Sequence, residues 1–202
     1  MAEIFRMRTV DRRELPHGGV IEHEPGFVDP RDAGEVHAAL VRELTWEQRE
    51  IVLFGHRILQ PRLIAWAGEL PYRYSGQTLE PRPATPSLRT MIERVVERTE
   101  VPFNHVLVNR YRDGGDSMGM PADDQPELGE DPVVATVSLG EARRFVVAPR
   151  RGKAPKIEYR LEHGSLLVMS GTCQAHHRHG VPRASGVRGE RLSLTFRRVL
   201  LP

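Results

Sequence analysis

This sequence predicts a mainly β fold with flanking helices, and three observations carry that expectation. From Val101 onward, short runs rich in β-branched and aromatic residues are separated by turns marked with glycine and proline. Before that point, two stretches, 31–44 and 87–98, place apolar residues at helical spacing. No repeat and no linker-like stretch divides the 202 residues. One domain over 1–202 is therefore expected, a curved double sheet with helices against one outer face.

Residues 1–30 read as an arm ending in a strand-like Val20-Ile21-Glu22-His23. Asp29-Pro30 then supplies a helix start, an acceptor side chain at the cap followed by a proline whose missing N–H costs nothing in a first turn. Val36, Leu40 and Leu44 follow on one face, which predicts a helix over 31–44. Glu50-Ile51-Val52-Leu53-Phe54-Gly55 is short and β-prone, and Gln60 to Trp66 is a further candidate strand ending at Gly68. Leu70 to Pro86 carries Pro71, Pro81, Pro83 and Pro86, too many for a long helix or a central strand. It reads as an extended segment with Tyr72 and Tyr74 on one side, either a surface loop pinned by aromatic packing or a lid facing a nucleobase. A second helix covers 87–98, with Leu88, Ile92 and Val95 or Val96 inward.

The strand from Asn104 alternates, Val106 and Val108 to one face, Leu107 and Asn109 to the other. It leads into a tight Asp113-Gly114-Gly115-Asp116 turn, beyond which the chain delivers Asp123, Asp124 and Gln125. Val133 to Leu139 reads as a buried strand, Arg144 to Ala148 as its partner, and Ile157 to Leu161 as an extension of the sheet. Leu166 to Met169 follows the turn at His163-Gly164-Ser165, Gln174 to Val181 reads as extended, and Leu192 to Arg197 is the last strand. Seven basic residues and one acidic lie between Ala142 and Arg160, so the tip at 149–156 is either a solvated turn or a rim that contacts phosphates.

Composition narrows the classes of function. Hydrophobic residues make up 39% and charged residues 28%, a globular balance. No apolar run approaches the ~20 residues that cross a bilayer, so no membrane role is expected. The first residues are basic but lack the apolar stretch of a secretory signal, and Cys173 is the single cysteine, so a reducing cytoplasm is the expected location. All but Lys153 and Lys156 of the 29 basic side chains are arginine, the side chain suited to bidentate contact with phosphate or carboxylate.

Asp123 and His179 stand 56 positions apart, in a turn after one strand and in a segment before another, and could meet across the mouth of the double sheet. A carboxylate and an imidazole form part of a hard-metal site, and two histidines with one carboxylate make the usual non-heme iron set. Arg191 and Arg197 are six positions apart on one strand, an even separation that turns both to one face. Two inward guanidiniums need anionic partners. Either a small dicarboxylate satisfies them, with Asn109 and Tyr111 adding hydrogen bonds, or they pair with internal acids such as Asp123 or Asp124. His177 shares a side with His179 in an extended segment, whereas His176 points away, so Asp123, His177 and His179 form an alternative donor set.

Several motifs in order resemble one family. They are Asn109-Arg110-Tyr111, Asp116-Ser117, Asp123-Asp124-Gln125-Pro126-Glu127-Leu128-Gly129, His163 to Met169, Gln174 to His179 with Val181-Pro182, and Arg191 to Arg197. From about Phe54 to the C-terminus the chain resembles the AlkB family of Fe(II)- and 2-oxoglutarate-dependent dioxygenases, nearest the subgroup that resembles the human DNA and RNA repair homologues. The resemblance implies a double-stranded β-helix, or jelly roll, with its core over about 101–202 and a nucleotide-recognition region over about 50–86. It implies oxidative removal of N-methyl groups from bases such as 1-methyladenine and 3-methylcytosine, as formaldehyde, while 2-oxoglutarate becomes succinate and carbon dioxide. The partner is then methylated DNA or RNA, single- or double-stranded, met by a monomer.

Carried over residue by residue, Asp123 and His179 are the expected ligands of Fe(II). Arg191 holds the remote carboxylate of 2-oxoglutarate, with Asn109 and Tyr111 beside it, and Thr195 and Arg197 lie nearer the chelating end. Arg62, Tyr72, Tyr74, Ser75 and Asp124 are the expected substrate contacts, Arg62 near the phosphates of the damaged strand. The chain departs from the family at four places. Pro121 occupies the position of the first histidine ligand, and Gln125 stands where an acid is common. Ala67 and Ala84 replace large aromatics, which implies an opened base pocket. Two further functions follow from these departures, a catalytically silent nucleic-acid-binding module, or an altered dioxygenase with a small non-nucleic substrate.

Overall fold

The structure, a computed structural model, describes residues 9–53 and 56–200. Strands β1 (Asp11–Glu14) and β2 (Gly19–Glu24) pair as an antiparallel hairpin, so the N-terminal arm holds one strand more than its sequence suggests. Helix α1 (Pro30–Glu43) begins as expected: the Asp29 carboxylate accepts from Arg31 N at 3.0 Å, and Pro30 takes the first turn. Its buried face is Ala33 and Leu40, with Val36 and Leu44 packed alongside. Strand β3 (Glu50–Leu53) pairs with β4 (His56–Leu59), a partner the sequence did not reveal. Phe54 and Gly55, assigned above to the same strand, lie outside the described residues. Strand β5 (Leu63–Gly68) follows.

Residues 70–86, expected as an extended segment without a long helix or central strand, hold a short hairpin of their own. Strands β6 (Tyr72–Tyr74) and β7 (Gln77–Leu79) form a hairpin through Ser75 (φ 50°) and Gly76 (φ 78°). Two positive φ values in a two-residue loop match the right-handed twist of the flanking strands. The prolines bracket this hairpin at 71 and 81 and leave its interior free to pair. Tyr72, Tyr74 and Leu79 are buried against Ile64, Trp66 and Leu107, so the tyrosines are part of a core. Helix α2 (Pro86–Thr99) is capped by the Thr85 hydroxyl, which accepts from Leu88 N at 3.4 Å, and it buries Leu88, Met91 and Val95.

The remaining elements are β8 (His105–Tyr111), β9 (Val134–Gly140), β10 (Arg143–Pro149), β11 (Ile157–Leu161), β12 (Ser165–Gly171), the single turn α3 (Cys173–His176), β13 (His177–Gly180) and β14 (Arg191–Arg197). The larger sheet runs β1-β2-β12-β9-β14-β8-β5, antiparallel throughout. The smaller runs β11-β10-β13. Strand β10 therefore does not pair with β9, as its sequence neighbourhood suggested; the chain crosses to the other sheet after Gly140. Two facing sheets with both long helices packed on the larger one make the expected jelly roll.

Alternation along the central strands gives the larger sheet two unlike faces. Towards the helices it presents Val106, Val108, Ala135, Val137, Leu192, Leu194 and Phe196, all buried in one cluster. Towards the smaller sheet, β8, β9 and β14 present Asn109, Tyr111, Thr136, Ser138, Arg191, Ser193, Thr195 and Arg197, again all buried. The edge of that interior is apolar, with Leu167 and Met169 packing on Phe145, Val147 and Leu161. A buried polar stripe inside an otherwise apolar sandwich is where a site is built.

Candidate active site

The loop that follows β8 is fastened over this stripe by its backbone. Arg112 and Asp116 form a bidentate pair across the 113–116 turn, and Arg143 donates to the carbonyls of Asp113 and Asp116 at 2.9 and 2.8 Å. Gly114 has to be glycine, since a Cβ there would lie 1.9 Å from the Ala184 carbonyl oxygen. Met118 and Val181 exchange backbone hydrogen bonds at 2.8 and 3.1 Å, and His179 N donates to the Pro121 carbonyl at 2.8 Å. Asp123 N donates to Gln174 Oε1 at 3.0 Å. The result sets Asp123 Oδ2 3.6 Å from His179 Nε2.

Asp123 is held from its other oxygen. Arg197 Nε donates to Oδ1 at 2.9 Å, which leaves Oδ2 with no hydrogen-bond partner. Burial opposes the charge on Arg197, but Asp123, with Tyr72 and Tyr74, together more than offset it, and the guanidinium pKa is raised. Burial pushes the His179 imidazole below its ordinary value, against the attraction of Asp123, so the ring is neutral and keeps a lone pair. Its face stacks on Phe145 with centroids 5.4 Å apart.

Arg191 differs from Arg197. It is fully buried, stacks over Tyr111 at 5.3 Å and donates from Nη2 to the Ser138 hydroxyl at 2.8 Å. No acid pairs with it among the described residues, and its Nε and Nη1 have no partner of hydrogen-bonding geometry. Burial lowers its pKa to about 10. The two alternatives for the paired arginines thus divide between them: one finds an internal acid, and the other is left for an anion. Asn109 accepts from Arg62 Nε at 2.6 Å through its oxygen, so its amide NH2 is the group left for a ligand. Asn109, Thr136, Ser193, Thr195, Arg197, Asp123 and His179 line a cavity of about 170 Å³, the size of a small acid rather than of a drug-like molecule.

Arg191 and Tyr111 do not themselves line this cavity; Arg191 stands two positions from Ser193 on the same face of β14, and its unmatched N–H groups call for an anion such as a carboxylate. A metal finds two donors, the free Oδ2 of Asp123 and the neutral ring of His179. Pro121 offers none, and no cluster of three or more His, Cys, Asp or Glu side chains suited to a metal ion occurs among the described residues. His177 does not complete the set: it lines a different cavity, with His17 and His176.

Other expectations are corrected by burial. Arg62 is 5% exposed and donates to Asn109, to Tyr74 Oη at 2.8 Å and to the Ser117 carbonyl at 3.1 Å, so its guanidinium is used inside and is not free for a strand phosphate. Tyr72 is fully buried and donates to Gln125 Oε1 at 2.9 Å, behind the site rather than at its mouth. Tyr74 and Ser75 do border the cavity. Asp124 is half-exposed and accepts from Arg150 at 2.6 Å. Ala67 packs in the cluster under the helices and Ala84 against it, and the cleft they border shares no lining residue with the Asp123 cavity. They do not open the base pocket. Gln174, Phe145 and Ser138 had no role assigned from the sequence, although Gln174 opens one of the motifs that carry the resemblance and Ser138, a polar residue recurring with Thr136 in an aliphatic strand, also left a signal.

Residues 21–197 match the 2OG-Fe(II) oxygenase superfamily. The chain is similar to the human alpha-ketoglutarate-dependent dioxygenase alkB homolog 3, 40% identical over 187 residues, covering 87% of this chain and 64% of that protein. It therefore spans just under two thirds of that relative's length. The mouse DNA oxidative demethylase ALKBH2 is 38% identical over 206 residues, covering 96% of this chain and 86% of that protein. Among solved structures, that of OsALKBH1 superposes with a TM-score of 0.61 at 16% identity, over 93% of this chain and all of the other, a likeness of fold.

Proposed function

We propose that this chain, which belongs to the AlkB family of the 2OG-Fe(II) oxygenase superfamily, is a dioxygenase that demethylates alkylated bases in nucleic acid, 1-methyladenine and 3-methylcytosine among them. The observation that supports this most directly is the buried, unmatched guanidinium of Arg191 at the end of the polar stripe. An acid-free arginine in an interior is costly unless an anion arrives to meet it. In this reading Arg191 holds the distal carboxylate of 2-oxoglutarate, Asn109 and Tyr111 orient it, and Thr195 and Arg197 lie nearer its other end. Asp123 and His179 would hold Fe(II), which supplies the oxygen-activating chemistry of the family when bound. Arg197 fixes one Asp123 oxygen and leaves the other as a donor. The 50–86 region meets the nucleic acid through Tyr74 and Ser75, which border the cavity, and the target base has to leave its stack to enter. Tyr72 and Arg62 are positioning residues that act through Gln125, Tyr74 and Asn109.

One observation favours a second reading, in which the chain binds nucleic acid without turnover: the position of the first iron ligand carries Pro121. Formaldehyde release from a 1-methyladenine oligonucleotide, measured with bound iron, separates the two. Release that requires both Fe(II) and 2-oxoglutarate supports the enzyme. Oligonucleotide binding that weakens steeply with salt, with no formaldehyde, selects the binding module. The absence of both signals removes both readings.

A further inference from the structure

A second cavity, about 850 Å³ against about 170 Å³ at Asp123, opens between the N-terminal hairpin and the smaller sheet and takes no part in the reaction proposed above. Its charged lining has one sign: Arg13 from β1 on one wall, Arg150 and Arg151 after β10 on the other, with no acid among the described residues that line it. His17 and His176 stack at its edge, centroids 4.5 Å apart and planes 29° apart. Val147 and Ile157 give it an apolar floor. His177 also lines it, 7% exposed, and its Nδ1 has no hydrogen-bond partner.

We propose that this cavity binds a free nucleotide, a planar base carrying a phosphate tail. Three guanidiniums lining one cavity suit the oxygens of a phosphate, which they can meet bidentately. The imidazole pair and the apolar floor offer flat surface to a base. Its volume falls in the range of small-molecule sites, ~300–1,000 Å³. A groove that tracks a strand sets its cations in series beside stacking rings. Here they line a single cavity together with apolar Val147 and Ile157, which suits a discrete ligand.

Arg150 joins this cavity to the first one. Its Nη1 donates to Asp124 Oδ2 at 2.6 Å and to the Gln174 carbonyl at 3.3 Å, and the Gln174 side chain accepts from Asp123 N. A phosphate competes with Asp124 for that guanidinium, so the nucleotide loosens the segment that carries Asp123.

Calorimetric titration of the full chain with ADP tests the proposal. Saturable binding is expected, weakened about tenfold or more in Arg13→Ala/Arg151→Ala, where two charge-assisted contacts go. Both side chains are exposed, and an unchanged urea midpoint shows that the fold persists. Asp124→Asn, which removes the competing carboxylate, tightens ADP about threefold, the worth of a half-exposed ion pair. No saturation at millimolar ADP, or an affinity indifferent to those arginines, overturns the proposal. So does an unmodified oligonucleotide that displaces ADP and loses as much affinity as ADP in the double variant, since the face would then belong to a strand. None of these readouts uses demethylation, so they fail or succeed apart from the proposed activity.

Discussion

Arg197 reaches one carboxylate oxygen of Asp123 through two nitrogens, Nε at 2.9 Å and Nη2 at 2.7 Å, with both side chains almost wholly buried. Removing one partner strands the other charge away from water. Asp123→Asn is therefore expected to lower the free energy of unfolding by about 3–5 kcal/mol. Urea denaturation measures it, and a loss below about 1 kcal/mol would mean that water or another acid reaches Arg197.

Arg191→Met should separate stability from binding. Replacing a buried guanidinium that lacks an acid by an apolar side chain of similar length is expected to leave the unfolding midpoint unchanged or raised. The affinity for 2-oxoglutarate is expected to fall by about 30-fold or more, the loss of a buried charge pair. Binding that survives the substitution would place the co-substrate carboxylate elsewhere.

His105 supplies a pH dependence. Burial, and then Arg197, depress its pKa to about 3, and its ring lies against Tyr72 with centroids 4.8 Å apart. In the unfolded chain a histidine titrates near pH ~6.5. Because the folded value is the lower one, the contribution of His105 is complete above the unfolded value and is lost as pH falls towards the folded one. The full loss is on the order of 5 kcal/mol. Stability should decline below about pH 6.5, and His105→Phe should visibly reduce that slope. An unaltered slope would assign the decline to other buried imidazoles, such as His179.

Pro121→His tests the reading of the metal site. The loop is tied there through the carbonyl, which accepts from His179 N, and any residue supplies that atom. The fold should tolerate the change, while Fe(II) or Mn(II) affinity rises by about tenfold or more, with formaldehyde release rising alongside. Unchanged metal content in the variant would show that position 121 does not face Asp123 and His179.

Periodicity carried most of the architecture. Helix α1 was legible because Asp29-Pro30 and the Val36–Leu40–Leu44 stripe agree, and the facing of Arg191 and Arg197 followed from parity alone. Hairpin β6–β7 was hidden because its prolines were counted over the whole segment, whereas they stand only at its borders. Strand β10 was paired with the wrong neighbour because a jelly roll exchanges sheets at a tight corner, and no local pattern records which sheet a strand joins. Of the site, the meeting of Asp123 and His179 was legible from residue type and position. The inward roles of Arg62 and Tyr72 were not, since an arginine or tyrosine reads alike whether it faces water or a buried acceptor.

Strand β14 turns Leu192, Leu194 and Phe196 to the helices and Arg191, Ser193, Thr195 and Arg197 to the interior. A slip of one residue would drive two guanidiniums under the helices and leave three large aliphatic and aromatic groups in a polar hollow. Such a sheet could not form at all, so the strand checks its own alignment while it assembles the site. Variants of this protein that fold yet do nothing should therefore map to the loops at 113–125 and 172–179, and damage to the central strands should appear as missing protein.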